Sequence, residues 1–522
     1  MEVVGLFCVL TVGLLTRLII VSRVNTSFDT YGHLYFALEV KRQNSGPFGK
    51  IKTKVIGSKS FRHPFLWHWI IGILSFDFFY TNRQWVNAVF DTLFIGLIFC
   101  LISVSYDPKT AFFVALLYIF TPILFSGIST GPRIKSLTPR ITSEVAINLY
   151  FILVLTPIPI PEYISISLSI LLGVYTLLSS KFGVQAIVLL SIFISIFLFS
   201  YKPILILLVS FFISIIVTRG MFLKTLKHQA NHLIWYFKKN LKGEMIISNR
   251  NSFNLLKEKS KGKKGILKIG TIILQLIRRN SFGVVTFKLP ALIAGISLFI
   301  YSNFFMGHVE SIVPEIYVSV LAALVIYLMV NTSILLFIGE AERYLNHIIV
   351  FILLMTTILA LDLNTSWILW VLIGYGVLYW LLEAFVYNTI IHKKLHRDKK
   401  EKEEKEIIDF LKSIKEEKTV LSFPYHAVGV WRIMIDTIHK TVFTYTTSEE
   451  FLNKLENKYA SDYPYVNIEK LNEMDEDFGL DILIVDNKHV ANRYDKMWTP
   501  PENWVKEPIS GKIYTVYRNS HK

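Results

Sequence analysis

Asp29 and His33 stand four residues apart in the segment Phe28-Asp29-Thr30-Tyr31-Gly32-His33. On a helix that spacing puts both side chains on one face. A carboxylate beside an imidazole suits general base catalysis, and the same pair can begin a metal site. The bland alternative is a solvated loop in which Asp29 caps a helix. Glu39 follows, and the segment runs on through Gly46-Pro47-Phe48-Gly49 to Phe61-Arg62-His63-Pro64-Phe65-Leu66-Trp67-His68-Trp69. An aromatic-rich stretch of this kind suits the boundary between membrane and water.

Three further clusters carry charge. The first extends from Gly131-Pro132-Arg133 through Arg140 to Glu144, and the second is Lys181, in a short break between Ser179 and Phe182. The third is Gly339-Glu340-Ala341-Glu342-Arg343-Tyr344. Cations at a membrane face can hold a phosphate, and a carboxylate there can take a proton from an acceptor. Each cation also has a plain reading as a side chain snorkelling from a helix end.

The elements that must position these residues follow from composition. Of 522 residues 52% are hydrophobic and only 18% charged, with a mean hydropathy of +0.47. Soluble domains carry about 25% charged residues. The apolar runs are long and continuous, and a bilayer core of about 30 Å takes roughly 20 such residues per helix. Only helices and closed barrels satisfy their backbones there, and unbroken runs are not the alternating pattern of barrel strands. The expectation is an α-helical polytopic membrane protein with about eleven transmembrane helices. They are placed at 3–22, 84–106, 110–126, 143–156, 163–179, 182–200, 203–218, 289–305, 314–339, 347–361 and 367–391. The run 65–80 is at the lower limit for a span.

Within the basic segment 219–287, two amphipathic stretches at 230–241 and 266–277 are too polar to span and are expected to lie on the membrane. The net charge of +16 is concentrated beside spans, in 219–288 and 392–418, which points to membrane lipids and away from nucleic acid. Cys8 and Cys100 both fall in apolar runs, so no disulfide framework or CxxC metal pair is expected. The run 3–22 lacks a basic lead and a small-residue cleavage site, and reads as a retained span. Residues 1–391 thus form a polytopic domain with a long first loop, 23–83. A charged linker, 392–418, leads to a small soluble α/β domain, 419–522. Strands are expected in it near 419–423, 481–485 and 512–517, with a helix near 448–458.

In their order along the chain, these features resemble the GT-C glycosyltransferases. The matching parts are the acid early in the first loop, the aromatic stretch closing it, and Arg83-Gln84-Trp85-Val86-Asn87-Ala88 opening the second span. Leu171-Leu172-Gly173 through Ser180-Lys181-Phe182-Gly183 is similar to that family's small-residue span followed by lysine. Glu342-Arg343-Tyr344-Leu345 resembles its Arg/Lys-Tyr-Leu-Pro segment, with His347 near where proline is usual. The closest branch holds the dolichyl-phosphate-mannose protein mannosyltransferases and the aminoarabinose transferases. This chain departs from it in having one acid, Asp29, where a pair is common, and in reducing the loop prolines to His63-Pro64.

The resemblance implies an inverting, metal-independent transfer of sugar from a polyprenyl-phosphate donor to an extracytoplasmic acceptor, which could be a glycan, a lipid or a protein. Asp29 and His33 are then the catalytic candidates, with Asp29 as base. Arg83, Lys181, Glu342, Arg343, Tyr344 and His63 are the candidate substrate contacts. No cofactor is implied, though His33 beside Asp29 leaves a divalent metal open. The location implied is the plasma membrane, with the active site and the C-terminal domain outside. Charge counting pulls the other way, since basic loops favour the cytoplasm, but long loops translocate with little regard for charge. A transporter or flippase for a lipid-linked saccharide is the competing class. It would place polar groups at the bilayer midplane, often within internal repeats; few charges lie inside the runs beyond Arg17 and Asp91, and no repeat is evident.

Overall fold

The computed structural model describes residues 2–22, 28–47, 50–56, 60–61, 64–126, 133–134, 136–241, 251, 265–305, 313–387, 394–424, 428–442, 456–459, 466–494 and 498–521. His63, and residues 448–455 of the expected tail helix, lie outside them. The chain divides into two compact units. The first comprises Met1–Thr26, Thr81–Leu223 and Tyr236–Asn388, and the second Ser27–Tyr80, Lys224–Trp235 and Thr389–Lys522.

In the first unit a helix lies in each expected span, although not always over its full length. Glu2–Ser22 packs on Val86–Ser105 and Pro108–Phe120, and Pro139–Leu155 on Glu162–Ser179. Proline sets several starts, at Pro108, Pro139, Pro290 and Pro314, where its missing N–H costs no helical bond. In the expected span 110–126 the helix breaks at Thr121 and restarts as Pro122–Phe125, because proline inside a helix removes a bond and clashes with the preceding turn. Close approach is bought by small residues: a Cβ on Gly173 would collide with Ser210 of the helix Lys202–Val217.

Helix length does not establish the expected count. Among the described residues, four helices are long and apolar enough to cross a bilayer alone: Glu2–Ser22, Val86–Ser105, Glu162–Ser179 and Trp367–Phe385. Two bent pairs would raise the number to six, and further apolar helices are shorter. The amphipathic stretches are helical, within Met221–Leu241 and Gly265–Arg279.

The second unit is built on a mixed sheet. Its strands are β2 (Val55–Ile56), β4 (Thr419–Phe423), β5 (Lys440–Val442), β6 (Ile482–Asp486), β7 (Trp504–Lys506) and β8 (Tyr514–Asn519), in the order β2-β5-β4-β6-β8-β7. The neighbours from β2 to β6 run parallel, and β8 is antiparallel to β6 and β7. Side chains alternate between two cores, as the pleat requires. Leu483 and Val485 face one with Leu421 and Phe423; Ile482 and Ile484 face the other with Val420 and Val516. With both faces covered, β6 reads as the unbroken apolar run Ile482-Leu483-Ile484-Val485.

Two features differ from the sequence expectation. The segment 392–418 contains the helix Lys394–Ser413, whose Ile407, Ile408 and Leu411 are buried in the second core. Its charges also bond. Glu403 accepts from the backbone N–H groups of Lys512, Ile513 and Tyr514 at 3.2, 2.9 and 3.1 Å. It is therefore a docked helix in place of a linker. Secondly, the first loop belongs with the tail. Besides β2, the loop forms a two-stranded ribbon of β1 (Ile51–Lys52) and β3 (Ser60–Phe61), and helices Phe28–Arg42 and Leu66–Thr81. Tyr35, Phe36, Val40, Val55 and Phe65 share a buried cluster with Val430, Trp431 and Met434. A Cβ on Gly32 would meet the Trp431 indole at 3.0 Å.

Trp431 is 5% exposed at this junction, so Trp431→Ala should cost about 3–5 kcal/mol. Limited proteolysis across a urea series should show the first loop and the tail becoming cleavable together. A tail that opens while 28–80 stays protected would show them to be independent.

Candidate active site

Charges inside apolar helices are tolerated only in company. Arg17 and Asp91 are both fully buried, on Glu2–Ser22 and Val86–Ser105. Arg17 Nε donates to Asp91 Oδ2 at 2.7 Å, and its Nη1 donates to the Ile119 carbonyl at 2.7 Å. The other carboxylate oxygen accepts from Arg133 Nη2 at 2.8 Å and from the Tyr118 hydroxyl at 3.0 Å. Arg133 spreads its guanidinium over three elements, because its Nη1 also donates to Tyr118 at 2.9 Å and its Nε pairs with Glu144 at 3.0 Å. Asn87 Nδ2 fixes the Arg133 backbone by donating to its carbonyl at 3.0 Å.

Glu144 carries the network onward, its second oxygen accepting from Arg140 Nε at 2.9 Å. Arg140 opens the helix Pro139–Leu155 behind the N-capping Thr138. The same helix reaches the segment 340–347 through Asn148, which donates to the Asn346 carbonyl at 3.0 Å.

That segment closes on Phe182. Arg343 pairs with Glu340 and lies 5.1 Å over the Phe182 ring. Tyr344 and His347 pack on the same ring at 5.3 and 5.7 Å. Gly339, at φ 130°, has a backbone conformation that L side chains rarely adopt, and a Cβ there would strike Phe182. Lys181, next to Phe182, begins the helix Lys181–Phe197, which Ser180 caps by accepting from the Gly183 N–H at 3.0 Å. Glu342 is turned to Ser281, whose hydroxyl donates to it at 3.1 Å. Arg83 is half-buried in the turn ahead of Val86–Ser105, on a different element from these.

In the second unit Asp29 is exposed in the first turn of the helix Phe28–Arg42, with the half-buried His33 one turn further on. His33 Nδ1 lies 2.8 Å from Nε2 of His68, the two rings stacked at 5.0 Å. His68 is fully buried among Phe36, Phe65 and Trp67. Burial, and then the neighbouring His33, hold its pKa well below the usual value, so it is neutral. Glu39 accepts from Gln43 at 2.8 Å and from Arg42 at 3.2 Å.

The site residues anticipated from the sequence thus fall into two groups. Arg343 and Tyr344 pack on Phe182, the chain neighbour of Lys181, in one unit, and Asp29 and His33 share a helix in the other. The buried Arg17–Asp91–Arg133–Glu144 chain and His68 were not anticipated. A lone arginine and a lone aspartate in two apolar runs were the available signal for the first. Among the described residues, no three His, Cys, Asp or Glu side chains gather as a metal site would require.

No known protein family matches the chain, and no curated protein does. Among solved structures it is similar to the Archaeoglobus fulgidus oligosaccharyltransferase, in a complex with zinc and sulfate, at 13% identity and a TM-score of 0.47, over 97% of this chain and 73% of that one. It is also similar to the oligosaccharyltransferase AglB of the same organism, in complex with an inhibitory peptide and a dolichol-phosphate. There the identity is 12% and the TM-score 0.44, over 98% of this chain and 74% of that one.

Asp91→Ala would strand two buried guanidiniums, and losing one partner of a buried pair costs about 3–5 kcal/mol. The exposed pair Lys202–Glu162, at 3.1 Å, is the control, because Glu162→Gln should cost less than about 1 kcal/mol. Thermal unfolding in detergent compares them, and equal losses would contradict this view of Asp91.

Proposed function

We propose that this chain is a membrane glycosyltransferase that moves a sugar from a polyprenyl-phosphate donor to an acceptor outside the cytoplasm. The observation that carries the reading is the convergence on Phe182. Residues 181–182 and 339–347 lie far apart in sequence, and each resembles a different part of one enzyme family. In the fold Arg343 and Tyr344 pack on the Phe182 ring, and Lys181 is the chain neighbour of Phe182.

On the sequence resemblance, the Asp29 carboxylate takes the proton of the acceptor's nucleophile as that atom attacks the anomeric carbon. The bond from the anomeric carbon to the phosphate oxygen breaks, the configuration inverts, and polyprenyl phosphate leaves with its charge. Lys181 and Arg343 are the cations assigned to offset that charge. Lysine does so as a point charge and arginine as a planar donor fork. Tyr344 shapes the apolar wall. The glycan, lipid or protein nature of the acceptor is set by groups beyond these. On this reading Asp29 lies on the extracytoplasmic side of the membrane, with the plasma membrane as the proposed location.

Positioned base catalysis contributes about 10²–10⁴-fold, so Asp29→Asn should lose that much in kcat for transfer from a radiolabelled polyprenyl-phosphate sugar in proteoliposomes. Near-normal turnover would end the assignment, and donor crossing the bilayer without transfer would favour a flippase. Lys181→Ala and Arg343→Ala should each weaken donor use by about 1–3 kcal/mol, the worth of a charged hydrogen bond. A normal donor KM and kcat in both would remove the phosphate role.

A further inference from the structure

We propose that the helix Gly265–Arg279 docks on the anionic headgroups of the surrounding bilayer, and that this docking positions the segment 340–347 through Ser281 and Glu342. The glycosyltransferase reading enters only in what that segment then regulates; the docking and its transmission stand apart from it.

The helix presents an open apolar face. None of its described side chains is buried. Ile269 is 59% exposed and Ile273, one turn on, 41%, with Ile272 and Leu276 half-buried on the same face. Lys268, Thr271 and Gln275 line a second face, where Lys268 is exposed. Neighbouring isoleucines left in water mark an interaction surface. Charge identifies what covers it. Over residues 250–279 the sequence has nine lysines and arginines against one acid, Glu258. At an anionic leaflet the headgroups meet the cations and the acyl chains meet the isoleucines. A soluble polyanion would satisfy the cations and leave the isoleucines in water. The next helix, Ser281–Lys288, is set at 78° to the apolar helix that begins at Pro290. A turn of nearly a right angle suits a chain passing from the membrane surface into a crossing path.

Within the first unit, close contacts join this helix to the candidate site. Asn280 alone separates it from Ser281–Lys288. The two helices touch at Gly283, where a Cβ would lie 2.6 Å from the Leu276 carbonyl oxygen. Packing this tight makes the two helices move as one. Ser281 is fully buried, and its hydroxyl donates to the buried Glu342 at 3.1 Å. Its backbone N–H donates to the Asn251 side chain at 3.0 Å, and Asn251 donates to Asn331 at 2.9 Å. Glu342 precedes Arg343 and Tyr344, which pack on Phe182. A buried bond to a carboxylate is costly to break, so a shift of Gly265–Arg279 carries Glu342 with it.

The test uses the full chain in nanodiscs of phosphatidylcholine with or without phosphatidylglycerol. An environment-sensitive fluorophore is attached at Ile273→Cys, with Cys8→Ser and Cys100→Ser removing the other thiols. Its emission should shift to the blue, and be quenched by doxyl-labelled lipid, only with phosphatidylglycerol present. Added salt should reverse the shift. Lys268→Gln should lower the ratio of inserted to free helix about fivefold, the worth of one basic residue beside an anionic leaflet. Hydrogen exchange of residues 340–347 should slow when phosphatidylglycerol is added. That slowing should vanish in Ser281→Ala while the fluorophore still responds. Should the alanine variant fail to fold, Lys268→Gln decides in its place, because it should weaken insertion and slowing together. Donor use by the wild type should rise in parallel with insertion.

A fluorophore that stays in water, or inserts equally in both lipids, would overturn the docking. So would a shift given by polyglutamate or RNA in place of phosphatidylglycerol. Exchange at 340–347 that ignores phosphatidylglycerol, or still responds in a folded Ser281→Ala, would overturn the transmission. An active wild type whose rate ignores phosphatidylglycerol would overturn the regulation. Fluorescence and exchange need no sugar transfer, so absence of transfer by the wild type would sink the functional reading alone.

Discussion

Asp91 makes three bonds with two oxygens, to Arg17, Arg133 and Tyr118, and all four groups are buried. An ionised carboxylate without partners could not remain among apolar helices, nor could either guanidinium. The requirement is directional. Arg17 reaches Asp91 only if Glu2–Ser22 and Val86–Ser105 keep one register. Arg133 reaches it only if the chain turns back beneath Tyr118. Buried ion pairs are often no more stabilising than apolar side chains of similar size. What this one adds is selection among packings, since hydrophobic contacts alone would tolerate a helix slid by a turn. The consequence reaches the candidate site through Arg133, which holds Glu144, which in turn holds Arg140.

A different constraint shapes the second unit. Its sheet has a parallel edge strand, β2, supplied by a residue pair hundreds of positions before its neighbour β5. Two strand residues bring little stability, so the attachment depends on the aromatic cluster around Trp431 and on polar ties such as the Tyr80 hydroxyl to Asp436 at 2.7 Å. The helix that carries Asp29 and His33 is held by that same cluster, through Tyr35, Phe36 and Val40. The C-terminal tail is therefore part of what orients the first-loop helix.

The sequence revealed these parts unequally, for physical reasons. Apolar runs near 20 residues mark spans whatever their neighbours do, so helix positions such as Val86–Ser105 and Glu162–Ser179 were legible to within a few residues. Breaks inside runs were less so. The segment 314–339 was expected as one span, but its helix ends at Val330, where Asn331 and Thr332 turn the chain. Charge misled at 392–418, where the lysines and glutamates outnumber Ile407, Ile408 and Leu411. Those three share one face of a helix, and that face decided the outcome. The i, i+4 spacing of Asp29 and His33 would put them on one face of a helix, but the segment was expected as loop, and the helix Phe28–Arg42 was not foreseen. Nothing local predicted His68, because a contact across 35 positions leaves no periodic trace. The same holds for Arg133, which lies outside any run and meets Asp91 only in the fold.

The placement of Lys181 bears on how far folding alone explains the candidate site. It is the first residue of the helix Lys181–Phe197, where unsatisfied N–H groups and the helix macrodipole already present positive potential. A cation belongs at the opposite end of a helix on stability grounds. Arg343 is different: its guanidinium is accounted for by Glu340 and by the face of Phe182, contacts that exploit its planarity and that a lysine would not reproduce. A stability argument thus explains Arg343 and leaves Lys181 against the local field. An anion bound there would reverse the sign of that cost, since the N–H groups, the dipole and the ammonium would all act on it together.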